Sequence, residues 1–169
     1  MRVTVKSLTA DVVHVRRQTA DLIAVRKYGE ESSSIKNRIN MIEGIGSSMF
    51  YLADASQMIE VAQSNIQSGI DYAGIKNLVE KAKNDISKVE SYLSVFQGEY
   101  SRYSPLIKGY LDRINQILSQ PDPAFSSSLR NGTMLSEINH NIMQVINVLA
   151  VAIDTITMNI WLDINKIKP

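Results

Sequence analysis

Two places in the chain set a carboxylate three residues before a histidine, Asp11-x-x-His14 and Glu137-x-x-His140. Spacing i, i+3 puts both groups on one helical face, and bundles that hold paired metal ions use Glu-x-x-His in this way. That donor set also needs a lone Glu from each of two further helices. The two most strongly patterned helical stretches, 33–68 and 75–96, carry no Asp or Glu in their apolar seams. Glu137 and His140 fall between Leu135, Ile138 and Ile142, so the helical period turns them toward solvent. Cysteine is absent, which removes thiolate ligands, disulfides and Cys nucleophiles together. The expectation is a chain without a metal site or cofactor.

Other catalytic patterns are missing too. There is no Gly-x-Ser-x-Gly elbow, and His14 and His140 are the only candidate imidazole bases. No Gly-x-x-x-x-Gly-Lys or Gly-x-Gly-x-x-Gly segment occurs, and Gly44-Ile45-Gly46 lies inside an apolar seam, where it reads as a packing feature. The chain is therefore expected not to be an enzyme. Its 18 Lys and Arg against 17 Asp and Glu leave a net charge of +1, too little to draw it onto nucleic acid or an anionic membrane. Arg16, Arg17, Arg26 and Lys27 make a local basic excess, but Asp11 and Asp21 dilute it. A solvated helix face is the expectation, with no nucleic-acid partner.

The elements that would position any site are helical throughout. With 44% hydrophobic and 21% charged residues, the 169-residue chain has a globular composition and the size of one domain, 1–169. Ile75, Val79, Ala82, Ile86, Val89, Leu93 and Phe96 step alternately by four and three, an unbroken seam over three heptads. Upstream, Ile45, Leu52, Ile59 and Ile66 recur every seven residues beside Ile35, Ile42, Met49 and Ile70. Ser56 and Gln63 interrupt the second register, so its middle is expected to pack less tightly. Gly44 and Gly46 each cost roughly 1 kcal/mol of helix propensity and should kink the helix or admit a close neighbour. Between the seams, Ser68–Gly74 carries paired glycines suited to a turn, so 33–68 and 75–97 should form an antiparallel hairpin.

Three further helices are expected. One covers about 8–28, after a short extended lead-in at Arg2–Val5, with Leu8, Val12, Val15, Leu22 and Ile23 apolar; the pattern leaves open whether it runs on into 33–68. Another covers 104–118, with Ser104-Pro105 as N-cap and first residue and Leu106, Ile107, Tyr110, Leu111, Ile114, Ile117 and Leu118 as its apolar face. The loop 119–132, with its prolines and Asn131-Gly132, leads into a last helix over 133–166. There Ile146, Ile153, Ile160 and Ile167 recur by sevens beside Ile142, Leu149 and Ile156, a broad apolar face suited to a central bundle helix. The fold class is thus all-α, an antiparallel bundle of four to five helices built on a long central hairpin.

Two surfaces could carry function. Tyr92, Tyr100, Tyr103 and Tyr110 gather around Gly98, and tyrosine combines apolar area with a polar tip. They either seal one end of the bundle or meet a partner, and Phe96, Tyr100, Tyr103 and Tyr110 are the residues assigned to partner contact. The stretch 142–162 is the membrane candidate, with Asp154 its sole charge and Gln144, Asn147 and Asn159 against insertion. The N-terminal MRVTVKSLTADVVHVRR lacks the continuous apolar run of a secretory signal, so the chain is expected to be cytoplasmic or exported without a cleaved signal.

Residues 93–111, LSVFQGEYSRYSPLIKGYL, resemble the leader region of LXG proteins exported by the type VII secretion system. There a hydrophobic-x-Gly element follows helical segments and leads into an aromatic-rich helix. Phe96-Gln97-Gly98 stands in the place of Leu-x-Gly, and the turn at 68–74 lacks the Trp of the related WXG motif. The resemblance implies a leaderless helical binding or export partner. The function expected is a non-catalytic helical interaction protein that docks apolar helix faces on a protein partner or as a homo-oligomer. The alternative is a membrane-acting protein that inserts 142–162.

Overall fold

A computed structural model describes residues 33–69, 72–120 and 132–167, and among these the chain is all-α with no strand. Among the described residues four helices carry the fold: α1 (Ser33–Gln67), α2 (Tyr72–Tyr92), α3 (Tyr103–Leu118) and α4 (Thr133–Ile167). The expected helix at 8–28, its lead-in and most of the 119–132 loop lie outside the described residues. At 35 residues each, α1 and α4 are about 52 Å long and form the two long members.

The bundle is antiparallel. The α1–α2 turn holds Gly69 at φ +68°, a left-handed position that glycine takes without strain. Arg38 meets Asp163 and Ser56 meets Asn139, so α4 runs back along α1. Likewise Arg113 meets Glu137 and Tyr103 meets Thr155, so α3 runs back along α4. The helices α2 and α3 touch only lightly, partly through Asn115 Nδ2 donating to Glu90 Oε1 at 2.7 Å.

The seven-residue seams supply the core. Ile42, Ile45, Leu52 and Ile59 of α1, Val79, Ile86 and Val89 of α2, and Ile107, Leu111 and Ile114 of α3 are all buried. From α4 both registers enter, with Ile142, Ile146, Leu149, Ile153, Ile156 and Ile160 buried together. Removing such side chains from water is the main stabilising term, at about 1.5–3 kcal/mol for each fully buried residue.

Where polar residues interrupt the seams, structure and pattern differ. Ser56 is fully buried and donates to Asn139 Oδ1 across the α1–α4 contact, so the register is closed there by a polar pair. Asn141, beside the exposed His140, is also buried and donates to the Glu137 carbonyl at 2.8 Å. Leu106, assigned to the inner face of α3, is exposed instead.

The hairpin's second arm also ends earlier than its seam. The α-helix stops at Tyr92, and Leu93–Val95 and Gly98–Arg102 continue as 3₁₀ turns. Leu93 and Phe96 still pack on the core, because a short 3₁₀ turn keeps side chains on the same side. Gly98, at φ +57°, redirects the chain into the second turn. That turn sets the helical backbone before Ser104, so α3 begins at Tyr103. Ser104 Oγ then donates to the Leu93 carbonyl at 3.2 Å and does not act as the N-cap.

The helix α1 runs without a break through Gly44 and Gly46. At Gly44 a Cβ would lie 2.8 Å from Val95 Cγ1, so the glycine admits the 93–95 turn. Gly44→Ala should therefore cost about 1 kcal/mol, overpacking of about 1–3 kcal/mol set against the helix-propensity gain. Adding Val95→Ala should restore stability in urea melts. A double variant no more stable than Gly44→Ala alone would contradict the close approach.

Candidate functional site

The residues assigned to partner contact turn inward. Phe96, Tyr100 and Tyr103 are 6%, 3% and 6% exposed and belong to the core, and Tyr110 is half-buried against it. The reason is the chain path: two 3₁₀ turns carry 93–102 across the end of the bundle, so the rings close the space between α1 and α4. Phe96 and Tyr103 pack ring against ring at 5.9 Å, tilted by 47°. In this conformation the three buried side chains offer a partner almost no surface.

Their hydroxyls are held by a polar clasp. Asn159 Nδ2 donates to the Tyr100 oxygen at 2.7 Å, and the Tyr103 hydroxyl lies 3.1 Å from Thr155 Oγ1. Arg102 also donates to the Tyr103 oxygen, at 3.3 Å. Arg38 of α1 pairs with Asp163 of α4 and, at 3.4 Å, with Glu99, while its guanidinium stands 5.9 Å from the Tyr100 ring centre. Burial works against the Arg38 charge, but Asp163 outweighs it and raises the guanidinium above its ordinary value. The clasp ties together α1, the 3₁₀ segment and α4.

The two phenols are tuned in opposite directions. Burial raises Tyr100 above 10.0, against the Asn159 hydrogen bond. Burial pushes Tyr103 the same way, but the hydrogen bond with Thr155 and the one donated by Arg102, together with the Arg102 charge, overcome it and lower the group. A raised folded value favours the neutral phenol, so Tyr100 stabilises the fold below pH 10 and loses that contribution as pH rises through its folded value. For Tyr103 the sign reverses, with stabilisation above pH 10 that is lost as pH falls through its folded value. In an alkaline titration followed by phenolate absorbance, Tyr103→Phe should remove an earlier phase and Tyr100→Phe a later one. The reverse order would contradict this assignment of the hydrogen bonds.

The Glu137-x-x-His140 pair faces outward as its spacing indicated. Glu137 Oε1 accepts from Arg113 Nε and Nη2 at 3.0 and 2.8 Å, and His140 is exposed. Asp11 and His14 lie outside the described residues. Among the described residues no three His, Asp or Glu side chains converge as metal ligands. A cleft of about 290 Å³ beside the 93–97 turn is lined by Asn37, Asn40, Met41, Ser94, Val95 and Gln97. Its amides and hydroxyl can hydrogen-bond a polar group, but no side chain there moves a proton near neutral pH.

The most distinctive surface lies on the outside of α4. Val151, Met158, Trp161 and Leu162 are 56%, 66%, 60% and 49% exposed, although Ala152, Ile153, Ile156 and Ile160 between them are buried. Spacings of seven and four set Val151, Met158 and Leu162 along one line, with Trp161 and Asp154 at its edge. The heptad reading of the sequence passed over this stripe because it counted only the inward registers. The signal was the presence of Val151, Met158, Trp161 and Leu162 outside the inward registers of 142–162, the same stretch whose apolar character marked it as a membrane candidate. By length and composition α4 is indeed apolar enough to cross a membrane, yet its inner registers are the core of the bundle.

The fold and this surface define an all-α bundle with an apolar outer stripe. No protein-family model, curated protein or solved structure matches the chain.

Proposed function

We propose that the chain is a non-catalytic helical interaction protein whose docking face is the outer stripe of α4. The carrying observation is the exposure of Val151, Met158, Trp161 and Leu162 on a helix whose other face is core. Trp and Met are residue types that anchor interfaces, Trp by rigid area and Met by adaptable shape. Some described charges are taken up in ion pairs, Arg113–Glu137 and Lys88–Asp85 among them, and among the described residues no three His, Asp or Glu side chains converge on one point. Phe96-Gln97-Gly98 supports a place beside secretion-system leader or partner proteins: the Phe is in the core and the Gly is left-handed, a use of hydrophobic-x-Gly that needs both residue types.

The test sets two exposed faces against each other. Met158→Glu and Trp161→Glu should leave helix content, and the melting temperature of the dilute chain, nearly unchanged while abolishing chemically cross-linked adducts. Leu106→Glu, on the exposed side of α3, should leave the adducts intact. Adducts insensitive to the α4 variants would refute the docking face. Binding of the intact chain to phosphatidylcholine vesicles, with α4 protected from proteolysis, would favour the membrane-acting reading.

A further inference from the structure

We propose that the occupant of the α4 stripe is a second copy of this chain, packed antiparallel about a two-fold axis that passes close to Met158. The proposal rests on the reading of this stripe as a docking face and specifies what covers it.

Area is the first argument. With full residue areas of about 150–250 Å², the exposed fractions of Val151, Met158, Trp161 and Leu162 leave roughly 450 Å² of apolar surface. A standard interface buries about 800 Å² on each partner, of which about 57% is non-polar in non-obligate pairs and about 65% in homodimers, or about 450–520 Å². The stripe thus approaches the apolar area that one side of a standard dimer interface buries, and it is a contiguous patch of the size that is often functional on a monomer.

Charge and symmetry supply the second. The exposed line of α4 from Asn147 to Asn165 has one ionisable residue, Asp154, and no Lys or Arg. A strongly charged foreign partner would find nothing there to steer or select it, whereas a chain of net charge +1 meets a copy of itself without long-range repulsion. Two-fold pairing brings one patch against itself and needs only self-complementarity. Parallel packing would set Asp154 against Asp154. Antiparallel packing centred on Met158 sets Met158 against Met158 and Asp154 against Leu162. The two carboxylates are then about 12 Å apart along the axis, beyond the screening length of about 8 Å at physiological salt.

Trp161 is the only tryptophan in the chain, so its emission reports on the stripe directly. The experiment follows mass by light scattering and Trp161 emission through a roughly hundredfold dilution series of the full chain. A second copy on the stripe predicts twice 18.9 kDa with blue-shifted emission at high concentration, and 18.9 kDa with red emission on dilution. Met158→Glu and Met158→Lys should each dissociate at least about tenfold more readily than the parent chain. An equimolar mixture of the two should recover the doubled mass, because position 158 faces itself.

Other outcomes separate the claims. A mass of 18.9 kDa with red emission throughout overturns the second copy but leaves a docking face for another partner. The same mass with blue emission throughout overturns it because the chain covers its own stripe. A doubled mass that survives both Met158 variants overturns the proposal and the α4 docking face with it. Failure of the mixed variants to recover the doubled mass overturns the two-fold placement.

Discussion

Replacing Ile142 with alanine should cost about 2–5 kcal/mol of stability, while Met158→Ala on the same helix should cost about 0.5 kcal/mol or less. Both are long apolar side chains on α4, so helix propensity does not separate them. What differs is the facing direction. Ile142 has no exposed surface and lies next to Asn139 and Ile138, where α4 meets α1 through the Ser56 hydroxyl and α3 through the Arg113–Glu137 pair. Neighbours on both sides prevent collapse into the space a deleted side chain leaves, and the cavity term adds to the lost transfer energy. For a chain of this size each kcal/mol shifts the melting temperature by about 2–4 °C. The Ile142 variant should therefore melt roughly 4–20 °C early and the Met158 variant almost unchanged, read by the far-ultraviolet helix signal of the chain diluted until it is monomeric. Equal shifts would mean that α4 is anchored on both faces and that the outer stripe is not free.

The contrast between these residues also shows what the amino-acid pattern carries. Ile75, Val79, Ala82, Ile86 and Val89 could be placed inside from spacing alone, because a helix brings positions three and four apart onto one face and water drives that face inward. The all-α class and the hairpin follow from such seams. Spacing is blind to a buried polar group whose partner is distant in sequence. Ser56 and Asn139, 83 residues apart, satisfy each other inside the α1–α4 contact, and neither residue signals this by itself. Spacing also cannot separate an α-turn from a 3₁₀-turn, so the seam runs on through Leu93 and Phe96 although the α-helix has ended. The outer stripe escaped for a third reason. An exposed apolar residue breaks no pattern when the inner registers are apolar as well, and only solvent exposure distinguishes Met158 from Ile156.

Tyr100→Ala should destabilise the fold by about 3–5 kcal/mol, and Tyr100→Phe by about 1 kcal/mol. The ring is 3% exposed beside α4 and near the Arg38 guanidinium, so its loss opens a cavity where α1, the 3₁₀ segment and α4 meet. Phenylalanine keeps the ring and removes only the oxygen that accepts from Asn159, whose amide still has Glu99 at 3.4 Å. A tyrosine that served mainly as a partner contact would behave otherwise, with the alanine change nearly silent in a urea melt and visible only in association. The measurement is the urea midpoint of both variants, with Leu106→Ala as the exposed control. A midpoint for Tyr100→Ala within error of the control would return the aromatic cluster to the surface and reinstate it as a contact site. The expected ordering, alanine far below phenylalanine and phenylalanine slightly below the parent chain, assigns Tyr100 to holding α4 against α1. Any effect of its loss on association would then pass through α4, since α4 carries both the clasp partners Asn159 and Asp163 and the exposed side chains of the stripe.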